Sequence, residues 1–279
     1  MTTQNLQTAR SIWPINQLLV TADTSEAVDA LLHPRSQLKF LGDMTEFAGP
    51  HLFADALVYS TPRGNTGWTA LRMGHLGHIT YHHWDAARPN LLQLDVLGIG
   101  PINEGAAVEV IKDFWVPLGM RAIVVKRPAP PAKISVTVRR DDVSPRTGHD
   151  GLGPGEHLHL FVDQSGPARR RPVEPSVLDT ALMTLVTSLR MRGMTPVMSH
   201  HQKHRDGFSH DAIVGITTSH MSLRMRQNEG MVAIALDVFS CRNFEPEEVF
   251  RWLDGLLPTP EARRSVLYNR YPAGTFQEL

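Results

Sequence analysis

One stretch of this chain carries a serine where a second, similar stretch carries a glycine. Gly77–Trp84 (GHITYHHW) aligns with Ser219–Arg226 (SHMSLRMR), so that Ser219 corresponds to Gly77. A serine hydroxyl is one of the side-chain groups that enzymes use as a nucleophile. Ser219 is therefore the first candidate for chemistry in this chain.

The similarity between the two stretches continues at a constant offset of 142 residues (219 − 77 = 142). The next strand of the first copy, Leu92–Leu97, aligns without a gap with Ile234–Phe239 of the second. The helices beyond are apolar at i, i+3 and i+7 in both copies, at Val108, Ile111 and Trp115 and at Phe250, Leu253 and Leu257. A repeat of this length predicts one supersecondary unit that has been duplicated, with a site between the copies.

The repeat divides the chain into three parts. The first copy spans residues 12–126, a linker rich in Pro, Arg, Asp and Gly spans 127–152, and the second copy spans 153–279. The linker has one strand-like piece, Ile134–Val138, with period-two alternation. Each copy predicts the order strand, helix, three strands, helix. Sequential strands joined by short turns favour an antiparallel sheet with helices on one face, which is an α+β layer. Two such layers cover their bare faces by packing sheet on sheet, so we expect a four-layer α/β/β/α sandwich.

Composition excludes several classes of protein. The 28 basic residues balance the 28 acidic ones, so no bulk charge attracts nucleic acid or an anionic membrane. The single cysteine, Cys241, excludes an internal disulfide framework and suits a reducing compartment. The sequence has no apolar run of transmembrane length and no secretory h-region near Met1. We therefore expect a soluble, cytoplasmic protein with no membrane or nucleic-acid partner.

Three motifs of the second copy resemble the pyruvoyl-dependent S-adenosylmethionine decarboxylase family. They are Gly155–Leu158 (GEHL), Thr217–Ser222 (TTSHMS) and Leu236–Cys241 (LDVFSC). The family has a similar short strand ending in Glu-Ser-His, followed about twenty residues later by an Asp-aliphatic-aromatic-Thr/Ser-Cys strand. The resemblance implies a zymogen whose serine attacks its own preceding peptide bond. The ester then eliminates and leaves a pyruvoyl group, whose ketone forms a Schiff base with the substrate amine and acts as the electron sink for decarboxylation.

The resemblance assigns roles to three residues of the second copy. Autocatalytic cleavage would fall between Thr218 and Ser219, which makes Ser219 the precursor of the pyruvoyl cofactor. Cys241 would be the acid that returns a proton to the substrate carbon.

The family also needs a serine and a histidine for self-processing, contributed across the sheet interface. At these positions the second copy has Asp211 and Arg224, neither of which fits, whereas the first copy has Thr69 and His82, which both do. The first copy in turn lacks the serine and has Ile99 in place of the cysteine. These losses are complementary, as expected of a duplicated protein that has kept one composite site of two.

The substrate-binding positions depart from the family pattern. Thr218 replaces a glutamate, Arg63 replaces an aromatic ring that stacks on adenine, and Ala86 replaces a ribose-binding glutamate, with Asp85 beside it. Trp84 occupies the family's tryptophan position and could stack on an adenine or contact a sulfonium. An arginine such as Arg63 suits a carboxylate, which it can bind through two parallel hydrogen bonds.

Histidines are frequent but do not predict a metal site. Four of them lie close together in the second copy, at His200, His201, His204 and His210, among charged residues that indicate a solvated polar loop. Zinc ligands must converge on one point with an ordered second shell, so we predict no metal cofactor.

Three functions remain open. The first is decarboxylation of S-adenosylmethionine, which would serve polyamine biosynthesis, and the second is the same chemistry on another amino acid, such as ornithine or arginine. The third is a non-catalytic relative that acts as a binding or regulatory protein. Both enzymatic readings require a small-molecule substrate with an amine and a carboxylate, and a homodimer is one possible assembly.

Overall fold

The computed structural model describes most of the chain, and the described residues form two compact units. They are residues 13–24, 33–48, 57–60, 67–74, 77–84, 90–130, 132–141, 156–168, 174–217, 219–228, 230–271 and 273–279. The described residues of the N-terminal unit lie within 15–126 and 135–141. Those of the C-terminal unit lie within 13–14, 127–134 and 156–279.

The N-terminal unit contains a seven-stranded sheet in the order β2-β3-β4-β5-β1-β6-β7. Its strands are β1 (Ile15–Thr24), β2 (Leu57–Ser60), β3 (Trp68–Gly74), β4 (Gly77–Trp84), β5 (Asn90–Ile99), β6 (Pro117–Arg127) and β7 (Ser135–Asp141). Its helices are α1 (Pro34–Ala48) and α2 (Glu104–Trp115). The side chain of Asn103 caps α2 by accepting a hydrogen bond from the Ala106 N–H.

The C-terminal unit contains a second seven-stranded sheet, in the order β14-β13-β8-β12-β11-β10-β9. Its strands are β8 (His157–Pro167), β9 (Met198–His204), β10 (Gly207–Ile216), β11 (Ser219–Asn228), β12 (Met231–Ser240), β13 (Ala262–Tyr271) and β14 (Thr275–Glu278). Its helices are α3 (Pro175–Ser188) and α4 (Pro246–Leu256). Pro246 opens α4 with Glu247 and Glu248 in the first turn, where proline and acidic residues favour a helix N-terminus.

The two sheets have the same internal plan, which agrees with the predicted repeat. Read from β2 and from β9, the strand orders correspond one to one. The register agrees as well, since Leu18 pairs with Val96 on β1 and β5, and Leu160 pairs with Val238 on β8 and β12, each residue 142 positions further along. The predicted α+β class, with two antiparallel sheets built from a tandem repeat, is confirmed.

In each unit the helices cover one face of the sheet. In the C-terminal unit this face supplies buried apolar residues at alternate positions of β12: Val232, Ile234, Leu236 and Val238. The intervening positions of the same strand, Asp237 and Phe239, are on the opposite face and are also buried. Because the sheets are buried on both faces, their strands appear in sequence as nearly continuous apolar runs with a few polar residues.

The predicted order of elements within each copy was incomplete. Each repeat has one additional strand after its first helix, β2 or β9, and further strands after its second helix. β2 and β9 lie at sheet edges, and β9 in particular has no apolar alternation. Edge strands like these are held by pairing with a neighbour, which local sequence does not encode.

The predicted linker begins inside the fold. Arg127 is the last residue of β6 and is fully buried, and the strand-like piece of the linker is an edge strand, β7, paired with β6. Residues 142–152 of the linker lie outside the described residues. No helix of the described part of the chain is long and apolar enough to span a bilayer.

Candidate functional site

Ser219 and Cys241 lie together in the C-terminal unit. Ser219 opens β11, is 1% exposed, and accepts a hydrogen bond through Oγ from the backbone N–H of Cys241 at 3.0 Å. The Cys241 thiol is half-buried and lies 3.7 Å from the carbonyl oxygen of Thr217, to which its S–H donates a weak hydrogen bond. The two residues that the sequence singled out are therefore neighbours, and a backbone N–H holds the serine oxygen.

Strand register brings these two residues together. His220 pairs with Phe239 across β11 and β12, so the start of β11 and the end of β12 lie at the same end of the sheet. Cys241 is the residue after β12, and Ser219 follows the turn from β10, where it pairs with Ile216. Antiparallel pairing thus brings together two residues that are 22 positions apart in the sequence (241 − 219 = 22).

Thr69 and His82 form a second pair, in the N-terminal unit. They lie directly opposite each other on β3 and β4, and Thr69 Oγ1 and His82 Nδ1 are joined by a buried hydrogen bond of 2.9 Å. A hydroxyl bonded to an imidazole nitrogen can pass a proton to it, which is the arrangement used in general acid–base catalysis. The two residues that the sequence singled out in the first copy are thus in direct contact.

The corresponding pair of the C-terminal unit cannot do this. Asp211 and Arg224 occupy the equivalent register positions on β10 and β11 and form a buried ion pair. A guanidinium has no lone pair to accept a proton and stays charged. The same place in the two sheets thus holds a hydroxyl–imidazole hydrogen bond in one unit and an ion pair in the other.

The remaining predicted residues are only partly described. Trp84 ends β4, is buried, and its ring centre lies 5.9 Å from that of His82. Arg63, Asp85 and Thr218 lie outside the described residues. Among the substrate-binding positions, the structure therefore places only Trp84.

A buried charged cluster was missed by the sequence interpretation. Arg127 is fully buried and donates to Asp163 and Asp237, while Arg264 donates to the other oxygen of Asp163 at 2.7 Å. The Ser222 hydroxyl donates to Asp237 at 3.3 Å. Burial alone would lower the pKa of Arg127, but the two carboxylates outweigh it and raise that pKa above its ordinary value.

Two members of this cluster lie on the same strands as the candidate site. Ser222 is three residues beyond Ser219 on β11, and Asp237 is four residues before Cys241 on β12. One signal in the sequence could have revealed it, since Asp237 interrupts an otherwise apolar strand at the position that Asp95 holds in the first copy. A carboxylate inside a buried strand requires a partner, and in the N-terminal unit Asp95 has one in Gln17, whose amide donates at 2.9 Å.

The histidines predicted to form a solvated loop are in paired strands. His200, His201 and His204 belong to β9, and His210 lies on β10, where it is 1% exposed. The prediction of a loop was wrong because β9 is an edge strand whose polar side chains are half-exposed, so that its sequence resembles a loop.

No protein-family model and no curated protein matches this chain. A solved structure of the adenosylmethionine decarboxylase from Aquifex aeolicus is similar to it, with a TM-score of 0.30 and 13% sequence identity, over 42% of this chain and 92% of that one.

Proposed function

We propose that this protein is a self-processing, pyruvoyl-dependent decarboxylase that acts on S-adenosylmethionine. The proposal depends on one observation, the complementary use of the two repeats. The second repeat has the Ser219–Cys241 contact and the first has the Thr69–His82 hydrogen bond. Each repeat lacks the pair that the other has kept, which a chance pattern of polar residues would not produce.

In the proposed processing reaction, Ser219 Oγ attacks the carbonyl carbon of the preceding residue. The bond from that carbon to the Ser219 nitrogen breaks, an ester forms on Oγ, and the hydroxyl proton passes to the nitrogen. Loss of the Ser219 α-proton then eliminates the ester, which releases residues 1–218 as a carboxylate and leaves a dehydroalanine. Water hydrolyses the imine form of this residue, which releases the nitrogen as ammonia and leaves the ketone. The Cys241 N–H supports the first step because it holds Oγ in one position before the attack. Thr69 and His82 are assigned to proton transfer.

The residues present fit a pyruvoyl group, since Ser219 is its precursor and Cys241 lies beside it. A pyruvoyl ketone supplies an electron sink for the loss of a carboxylate from an amine substrate. We assign to the Cys241 thiol the return of a proton to the substrate carbon. Cys241 is half-buried, and its backbone N–H is bonded to Ser219 Oγ.

A second candidate is the same chemistry on another amino acid. Arg63 stands where the resembled family has an adenine-stacking ring, and a guanidinium recognises a carboxylate better than a base. Release of carbon dioxide from S-adenosylmethionine, ornithine, arginine and lysine distinguishes the two candidates. Turnover of one of the three amino acids, with none of S-adenosylmethionine, would favour the second candidate.

Intact mass spectrometry of the purified protein tests self-processing directly. Cleavage before Ser219 gives fragments of 218 and 61 residues (279 − 218 = 61). Ser219→Ala should stay uncut, and Ser240→Ala is a matched control, because Ser240 is a neighbouring buried serine bonded to the Arg242 carbonyl oxygen. Wild-type protein that keeps its full mass of 31.1 kDa would instead support a non-catalytic binding or regulatory protein.

A further inference from the structure

Two histidines face each other at the edge of the second sheet, away from the candidate site. His201 on β9 and His210 on β10 are direct register partners, and their ring centres lie 6.3 Å apart. The ring of His201 also lies 5.2 Å from that of Phe208. β9 is the edge strand of this sheet, so the half-exposed His201 has solvent beside it, while His210 is buried.

The ring of His210 is fixed by a carboxylate. Its Nε2–H donates to Asp179 Oδ1 at 3.0 Å, and the other oxygen of Asp179 accepts from the Ser199 hydroxyl at 2.9 Å. Asp179 lies on α3, so this contact ties the helix to the hairpin of β9 and β10. With its proton on Nε2, a neutral His210 carries its free lone pair on Nδ1.

The other ring nitrogens of the pair are available. His201 Nδ1 and His210 Nδ1 are both buried and have no hydrogen-bond partner among the described residues. A buried nitrogen with a lone pair and no donor is costly, and a cation that both rings share would remove that cost.

We propose that His201 and His210 form a two-imidazole site for a divalent transition-metal ion such as Zn²⁺. Imidazole nitrogen suits Zn²⁺, Cu²⁺ and Ni²⁺, and water can supply the remaining ligands at the open edge of the sheet. Zn–N bonds of ~2.0–2.1 Å place two imidazole rings on one ion at roughly 5 to 6 Å between centres. The rings of His201 and His210, with 6.3 Å between their centres, lie close to this range. Asp179 is the carboxylate that orients a ligating histidine through its other ring nitrogen.

The site belongs to the second repeat alone. At the positions of Asp179 and His210, the first repeat has Gln37 and Trp68, which provide neither a carboxylate nor an imidazole (179 − 142 = 37; 210 − 142 = 68). Gln37 instead accepts a hydrogen bond from the Tyr81 hydroxyl. The two histidines are therefore not a remnant of the fold shared by both units.

Titration of EDTA-treated full-length protein with Zn²⁺ by isothermal titration calorimetry tests this proposal. We expect one saturable site, with weakening of about 10- to 100-fold in Asp179→Asn, the range typical of lost outer-shell partners. His201→Gln and His210→Gln should weaken binding more than Asp179→Asn does. His201 is half-exposed, so its variant should fold even if the His210 variant does not.

His204→Gln is the matched control. His204 is also on β9, but it points to the other side of the strand from His201 and bonds through Nε2 to the Ser209 hydroxyl. Its replacement should leave the Zn²⁺ affinity unchanged. The proposal is overturned if wild-type protein shows no saturable binding at millimolar Zn²⁺, or if His201→Gln binds as tightly as the wild type. These measurements do not depend on whether the chain cleaves itself.

Discussion

Thr69 Oγ1 and His82 Nδ1 are 2.9 Å apart on adjacent strands, and the same register positions in the other sheet hold Asp211 and Arg224 as an ion pair. Both pairs are buried. Only the first of them can exchange a proton. The two copies thus share the geometry of this position, but only the first copy has side chains there that can exchange a proton.

Removing either member of the Thr69–His82 pair should slow self-cleavage. Thr69→Val removes the hydroxyl and His82→Gln removes the imidazole, both with little change in side-chain volume, and loss of a proton-transfer group costs about 10²- to 10⁴-fold in rate. The time course of intact mass after expression measures this. Arg224→Lys, which keeps the positive charge of the other pair, should cleave at the wild-type rate. Normal cleavage of His82→Gln would show that the two repeats do not share one site.

Replacing Cys241 should separate cleavage from turnover. Cys241→Ala keeps the backbone N–H that donates to Ser219 Oγ, so self-cleavage should proceed. The thiol is lost, and decarboxylation should fall by about 10²-fold or more because the proposed proton donor is gone. Fragment masses and carbon dioxide release from the same preparation give both readings. Wild-type turnover by cleaved Cys241→Ala would rule out the thiol as the proton donor.

Arg127→Met should strongly destabilise the protein. The change leaves Asp163 and Asp237 with one fewer cation in a buried place, and breaking a buried ion pair in this way costs about 3–5 kcal/mol. Thermal unfolding measures the loss. Arg264→Met is the matched control and should cost less, because the Arg264 side chain is 14% exposed whereas that of Arg127 is fully buried, and Arg127 would still neutralise Asp163. An equal loss in both variants would contradict this ranking.

His83 should make the protein less stable in acid. Burial lowers the pKa of His83 to about 4, from an ordinary value of 6.5, and its ring stacks on Trp115 with the centres 4.8 Å apart. The unfolded chain takes up this proton below about pH 6.5, whereas the folded chain resists it until about pH 4. The contribution of His83 to the free energy of unfolding should therefore be fully present above pH 6.5, and the free energy of unfolding should fall by about 3 kcal/mol between pH 6.5 and 4.

Unfolding with denaturant at a series of pH values measures that slope. His83→Phe keeps an aromatic ring against Trp115 and removes the titrating group. The part of the pH dependence between 6.5 and 4 that comes from His83 should then disappear. An unchanged slope would assign the acid sensitivity to other groups.

The sequence by itself determined the repeat, the fold class and the two candidate pairs. A constant offset of 142 residues fixes which positions correspond, and alternation of apolar residues fixes which side of a strand each one occupies. Ser219, Cys241, Thr69 and His82 were chosen because they match functional positions of the resembled family, and the offset showed which copy has a suitable residue at each of them. Those signals are local, or they repeat at a fixed period.

Tertiary structure alone decided which polar groups meet. Arg127 lies in a segment predicted to be a linker, and its partner Asp237 is 110 residues away, so no local pattern connects them. The sequence around His201 and His210 is typical of a solvated loop, and only the pairing of β9 with β10 shows that their rings lie together. A buried charge or imidazole must find a partner, but non-local strand pairing determines which residue that partner is.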